Sequence, residues 1–139
     1  MKMRMWFVAV ALALPLVACG GGSSPSVKAD RTIEMTTRDN KFEPDVASVR
    51  RGEKIAFRFR NQGKVNHEAF VGTEAAQQEH ESKMKDMGGM DMHDEGTISV
   101  KPGETKTLVH TFPDSGTLLI GCHEPGHWQA GMKVVVTVD

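Results

Sequence analysis

The chain has 139 residues, 39% of them hydrophobic, which suits one globular domain with its own core. A formal net charge of −1 supplies no general basic field for nucleic acid. Tyr is absent and aromatic residues make up 6%, so the stacking platforms that hold single-stranded bases are scarce too.

The first eighteen residues are set aside as a targeting segment. Lys2 and Arg4 give a positive start, and residues 5–18 follow as an uncharged, mostly apolar run. That is the layout of a secretory signal, and it is short for a membrane-spanning helix. The run ends Leu16-Val17-Ala18-Cys19, which resembles the bacterial lipobox, in which the Cys becomes the lipidated first residue of the mature protein. The competing reading is an ordinary signal cleaved near Ala18, leaving Cys19 as a free thiol; an unpaired surface thiol is a liability, which favours lipidation. Residues 19–29 then form the lipidated Cys and a flexible tether rich in Gly and Ser. The expectation is an exported domain, residues 30–139, held by lipid to a bacterial membrane on its periplasmic or cell-surface side. Gly20 stands where an Asp retains many such proteins at an inner membrane, so an outer membrane is favoured. Losing residues 1–18 removes Lys2 and Arg4 and no acid, and lipidated Cys19 leaves Cys122 as the one remaining thiol. An exported protein with a single unpaired Cys usually needs its chemistry, and a bound metal would protect the thiolate in an oxidising compartment.

From about Lys28 the pattern is of strands. Ile33 and Met35 alternate with polar neighbours, and Ile55, Phe57 and Phe59 do so more strongly in KIAFRFR. Further β-type runs cover residues 69–71, 97–100, 105–112, 117–122 and 133–138. Turn signals separate them: Arg51-Gly52-Glu53, Asn61-Gln62-Gly63, Lys101-Pro102-Gly103-Glu104 and Asp114-Ser115-Gly116. About seven or eight short strands at this spacing predict an all-β, antiparallel β-sandwich. Residues 73–96 fit neither strand nor turn and are expected to be an irregular or partly helical insertion. No G-x-G-x-x-G, P-loop or nucleophile-elbow motif occurs in the sequence.

Residues 122–132 read CHEPGHWQAGM. Cys122 ends a strand pattern, LLIGC, which places its sulfur at the rim of the sandwich. His127 follows five residues later and Met132 five after that, with Gly in each gap and Pro125 in the first, so the backbone can curl and aim its donors at the thiolate. One Cys, one His and a weak axial Met make most of a blue-copper site, which needs one more His. His67, in VNHEAF, is the candidate; it lies 55 residues before Cys122, so only the fold can bring it there.

These residues resemble the cupredoxins, the plastocyanin and azurin superfamily. C-x4-H-x4-M at residues 122–132 is similar to one spacing of that family's ligand loop, and N-x5-H from Asn61 to His67 to the segment carrying its first His. FEPDVASVRRGEKIAF and KPGET resemble its early strands and turn. The likeness covers about residues 30–139, and it implies a Greek-key β-sandwich holding copper. It also implies His67, Cys122 and His127 as equatorial ligands and Met132 as the long axial one. The residue after the family's first His is often an Asn that ties the two ligand segments together. Here it is Glu68, so the surroundings of the site depart from the family pattern. His123 is expected at the rim or just behind the ligands, and His110 as structural or exposed. Trp128 either shields the metal, forms a docking patch, or only covers the sandwich end.

The stretch TEAAQQEHESKMKDMGGMDMHDEG holds His80, Met84, Met87, Met90, Met92 and His93 amid seven acids and two Lys. One reading is a solvated loop, with Met84 and Met87 packing along a short helix over residues 75–87. The other is a second, labile copper site, since thioether and imidazole donors select copper over Mg or Ca, and exposed Met outside the cell is open to oxidation. The stretch resembles the Met/His-rich insertion of cupredoxins associated with bacterial copper tolerance, which favours the second.

Three functions compete: one-electron transfer with His127 as the surface exit, copper handling in tolerance, and copper-dependent oxidation. Turnover of a substrate needs an open coordination position or a second copper cluster, and no further paired-His motif is present, so an enzyme is not expected. The expectation is a copper-binding cupredoxin in periplasmic copper handling, a monomer, with electron transfer as its chemistry or alternative role. Its partners would be copper ions and a redox or copper-transfer protein, with no nucleic acid.

Overall fold

A computed structural model describes residues 28–88 and 96–139. The expected signal, Cys19, the tether as far as residue 27, and Met90, Met92 and His93 lie outside the described residues. Nine strands and one helix follow in order: β1 (Arg31–Arg38), β2 (Lys41–Glu43), β3 (Val46–Val49), β4 (Lys54–Asn61), β5 (His67–Gly72), α1 (Glu74–Asp86), β6 (Thr97–Val100), β7 (Thr105–Thr111), β8 (Gly116–Gly121) and β9 (Lys133–Val138).

The strands form two sheets, β2-β1-β4-β7 and β3-β9-β8-β5-β6. Both are mixed rather than purely antiparallel: β1 runs parallel to β4, and β3 parallel to β9. Parallel neighbours need a crossover between them. Here β2 and β3 supply it, carrying the chain from one sheet to the other before β4 returns to lie beside β1. These two short strands, three and four residues long, also account for the count exceeding the expected seven or eight.

Alternation along β4 explains the core. Ile55, Phe57, Phe59 and Asn61 all point inward and are buried. Phe59 meets Phe42 edge-on at 5.3 Å between ring centres, and Phe57 meets Phe112 likewise at 6.1 Å. Ile120, Val134 and Val136 close the interior from the other sheet. Asn61 breaks the apolar sequence of that inward face for a structural reason. Its Nδ2 donates to Val65 O at 2.8 Å and Val100 O at 2.9 Å, and its Oδ1 accepts from Gly63 N–H at 2.8 Å. The side chain thereby holds the turn that delivers His67 to the start of β5.

The helix begins and ends within one residue of the expected 75–87. Thr73 caps it, its Oγ1 accepting from Ala76 N–H at 3.2 Å, and Gly88 follows it at φ +66°.

Candidate metal centre

Backbone pairing brings the donors together at one end of the sandwich. Gly121 pairs with Lys133 across β8 and β9, and beyond them Cys122 N–H donates to Met132 O at 3.1 Å. The loop between is cinched at its base. Inside it His127 N–H reaches Glu124 O, and Met132 N–H reaches His127 O at 3.0 Å. Gly126 and Gly131 sit at φ +86° and +84°, the left-handed region that lets so short a loop turn twice. From β5, the neighbour of β8 on its other side, His67 enters at the first residue of the strand.

The Cys122 sulfur lies 3.3 Å from His127 Nδ1 and 3.7 Å from His67 Nδ1. One ligand atom from each residue falls within 4.8 Å of the other two. The imidazoles face each other at 5.1 Å, tilted by 32°. His67, Cys122 and Met132 are buried, and only His127 of the four keeps partial exposure. Glu68 N–H points at the Cys122 sulfur from 3.4 Å.

Burial sets the protonation of the donors. Burial pushes the Cys122 thiol up to about 12, although hydrogen bonds from the Glu68 and Glu124 amides work against the rise. Burial, then the neighbouring His127, pushes His67 down to about 4, and burial lowers His127 as well. Both imidazoles are therefore neutral near pH 7, the form that ligates. Nε2 of His67 is buried without a partner. A soft sulfur, two neutral imidazoles and a buried thioether fit copper.

The remaining expected residues lie behind or beyond these donors. His123 is not at the rim: it is buried, with Nδ1 2.8 Å from Glu81 Oε2 and Nε2 2.7 Å from Gln77 Oε1. The strand does not continue past Cys122, and the His123 ring turns under α1, flat on Trp128 at 4.9 Å. Trp128 is half-buried and covers this polar packing. Glu68 is buried and takes His80 Nε2 at 3.0 Å on Oε1. His80 is thereby occupied, and among the described residues the one group of His, Cys and carboxylates close enough to hold a metal is His67, Cys122 and His127. Met84 is 5% exposed and packs inward, whereas Met87 is 39% exposed. His110 is half-buried beside Phe112. Sequence reasoning missed Gln77, Glu81 and Gln129, which together hold His123 in place. The available signal was the i, i+3, i+4, i+7 spacing of Gln77, His80, Glu81 and Met84 along one helix face.

Residues 6–135 match the family model described as a cupredoxin-like domain. The chain belongs to the cupredoxin-like family. It is 36% identical over 119 residues to the copper-resistant cuproprotein CopI of Rubrivivax gelatinosus, covering 84% of this chain and 72% of that one. It is 34% identical over 116 residues to CopI of Vibrio cholerae serotype O1, covering 81% and 68%. Among solved structures, the reduced auracyanin of Roseiflexus castenholzii superposes with a TM-score of 0.68 at 25% identity, over 81% of this chain and 99% of that one.

Proposed function

We propose that this cupredoxin is an exported protein whose type 1 copper site, His67, Cys122, His127 and Met132, serves copper handling in copper tolerance. The observation that carries the reading is the convergence of two neutral imidazoles on one buried thiol. Two further observations support tolerance over general redox service. The relatives quoted above are copper-resistant cuproproteins, and the chain carries an acidic Met/His-rich stretch, of which Met87, Met90, Met92 and His93 are proposed to bind further, labile copper.

Bound copper supplies one-electron chemistry between Cu(I) and Cu(II). The chain supplies everything else. Cys122 gives up its proton when a cation is taken up, because a buried thiolate is tolerated only beside one. His67 and His127 arrive already neutral, and strands β5, β8 and β9 hold them in place before binding. A preformed site of this kind does not have to rearrange between oxidation states. With four protein donors no position is left for a substrate, so the protein is proposed to bind and pass copper or electrons rather than turn over a substrate. The partial exposure of the His127 ring favours a second reading, one-electron transfer to a docked partner through that edge.

A Cu(II) titration followed by visible absorption and electron paramagnetic resonance tests the proposal. An intense band saturating at one equivalent, with further copper bound without colour, is the expected result. One coloured equivalent and nothing beyond it favours electron transfer. No colour at all refutes the type 1 site.

A further inference from the structure

Helix α1 docks in an unusual way. Its buried face is Gln77, His80, Glu81 and Met84, three polar residues and one apolar. Such a face gains little from leaving water, so apolar burial does not account for its position. Hydrogen bonds do. Gln77 Nε2 donates to Phe70 O and Leu119 O, both at 2.9 Å, which fixes the amide and turns Oε1 toward His123. Glu81 takes the other nitrogen of His123 and is held from its far side by Gln129 and by Lys85 at 3.1 Å. His80 lies flat on Phe70 at 4.3 Å and edge-on to His123 at 4.8 Å, with Nε2 on the Glu68 carboxylate.

Two glycines clear the ground for this contact. A Cβ on Gly121 would overlap Gln77 Oε1 and meet Trp128 at 2.9 Å and His123 Nε2 at 3.0 Å; one on Gly72 would meet Ala76 at 3.0 Å. Both residues the helix grips, Glu68 and His123, are chain neighbours of metal donors, His67 and Cys122. Glu68 also presents its amide to the Cys122 sulfur.

We infer that α1 is a positioning element of the metal centre, with His80 as its positioning residue: by holding the Glu68 carboxylate, His80 holds the Glu68 amide on the Cys122 sulfur. The inference rests on the type 1 site proposed above. A hydrogen bond to the sulfur draws electron density from it and so disfavours the oxidised metal; hydrogen bonding at this sulfur is one of the levers on such a site's potential. Releasing Glu68 weakens that bond.

The test is His80→Leu, which keeps bulk and removes the donor, beside His80→Gln, which restores an N–H near the same place. With copper bound, His80→Leu should lower the reduction potential and shift the visible band, and His80→Gln should recover most of both. Without metal, the Glu68 amide should exchange its hydrogen faster in His80→Leu, while amides of β4 and β7 keep their rates. A coloured His80→Leu protein with unchanged band, potential and Glu68 exchange would overturn the inference, whatever its melting temperature. If that variant does not fold, Glu68→Ala reads the same coupling, and an unchanged band and potential there would equally overturn it. A wild-type protein that takes copper without colour instead refutes the type 1 site itself.

Discussion

Two clusters of buried imidazoles lie side by side in this molecule, and they differ in what surrounds the ring nitrogens. In the ligand cluster, Nδ1 of both His67 and His127 faces sulfur, and Nε2 of His67 faces nothing. In the helix cluster, Nε2 of His80 and both nitrogens of His123 are met by carboxylate or amide oxygens. All but His127 are buried, and the clusters differ in what their ring nitrogens meet. The ligand cluster is marked by two imidazoles turned toward one buried sulfur, and the helix cluster by imidazoles turned toward carboxylate and amide oxygens.

The strongest way to break this contrast is Cys122→Ser. The sulfur is the donor in the thiolate-to-copper transition, so the intense visible band should vanish entirely; a variant that keeps it would remove Cys122 from the ligand set. Gly121→Ala attacks the other cluster. The added methyl presses on Gln77, His123 and Trp128, and overpacking of this kind costs about 1–3 kcal/mol, readable as a lower denaturant midpoint.

Titration sharpens the contrast further. In the metal-free protein His67 sits at about 4 against an ordinary 6.5. The folded state thus resists a proton that the unfolded chain accepts, and stability should fall as pH drops from about 6.5 toward 4 and level off below. Melting curves across that range check it, and copper should make the fall with pH steeper, since the ligated state carries neither the imidazole proton nor the thiol proton that the unfolded chain takes up. Uptake of copper near pH 7 should also release about one proton, from Cys122 alone, because burial holds the thiol at about 12 while the imidazoles are already neutral. A lightly buffered titration counts it. The smallest effect is expected from replacing Met87, Met90, Met92 and His93 together by Ala: fewer colourless copper equivalents and an unmoved visible band. Unchanged stoichiometry would leave the stretch as a solvated segment.

Cys122 and His127 were legible as a pair because they lie five residues apart on a loop punctuated by the glycines it requires, and His67, which the fold brings to them, was reached through the resemblance of N-x5-H to the family's segment. The long strands were legible from alternation, as in KIAFRFR. Parallel pairing was not, because alternation tells which face a residue takes and never which strand lies alongside. Nor was the helix cluster. Gln77 and Glu81 find Leu119, His123 and Gln129 across 42 to 48 residues, and the Met/His composition of the segment pointed to metal instead. For His80 composition misled: its helix-face neighbours, rather than its Met neighbours, decide its role.

The crossover that makes β1 parallel to β4 also sets the polarity of the whole molecule. Asp30 N–H binds Lys54 O where β4 begins, and Arg51 N–H binds Asp139 O nearby, so both ends of the described domain share one pole. The eight residues of β4 carry the chain about 25 Å to the other pole, where His67 and its partners gather. The described chain therefore enters and leaves at the heel of the domain, while His67, Cys122 and His127 gather at its toe.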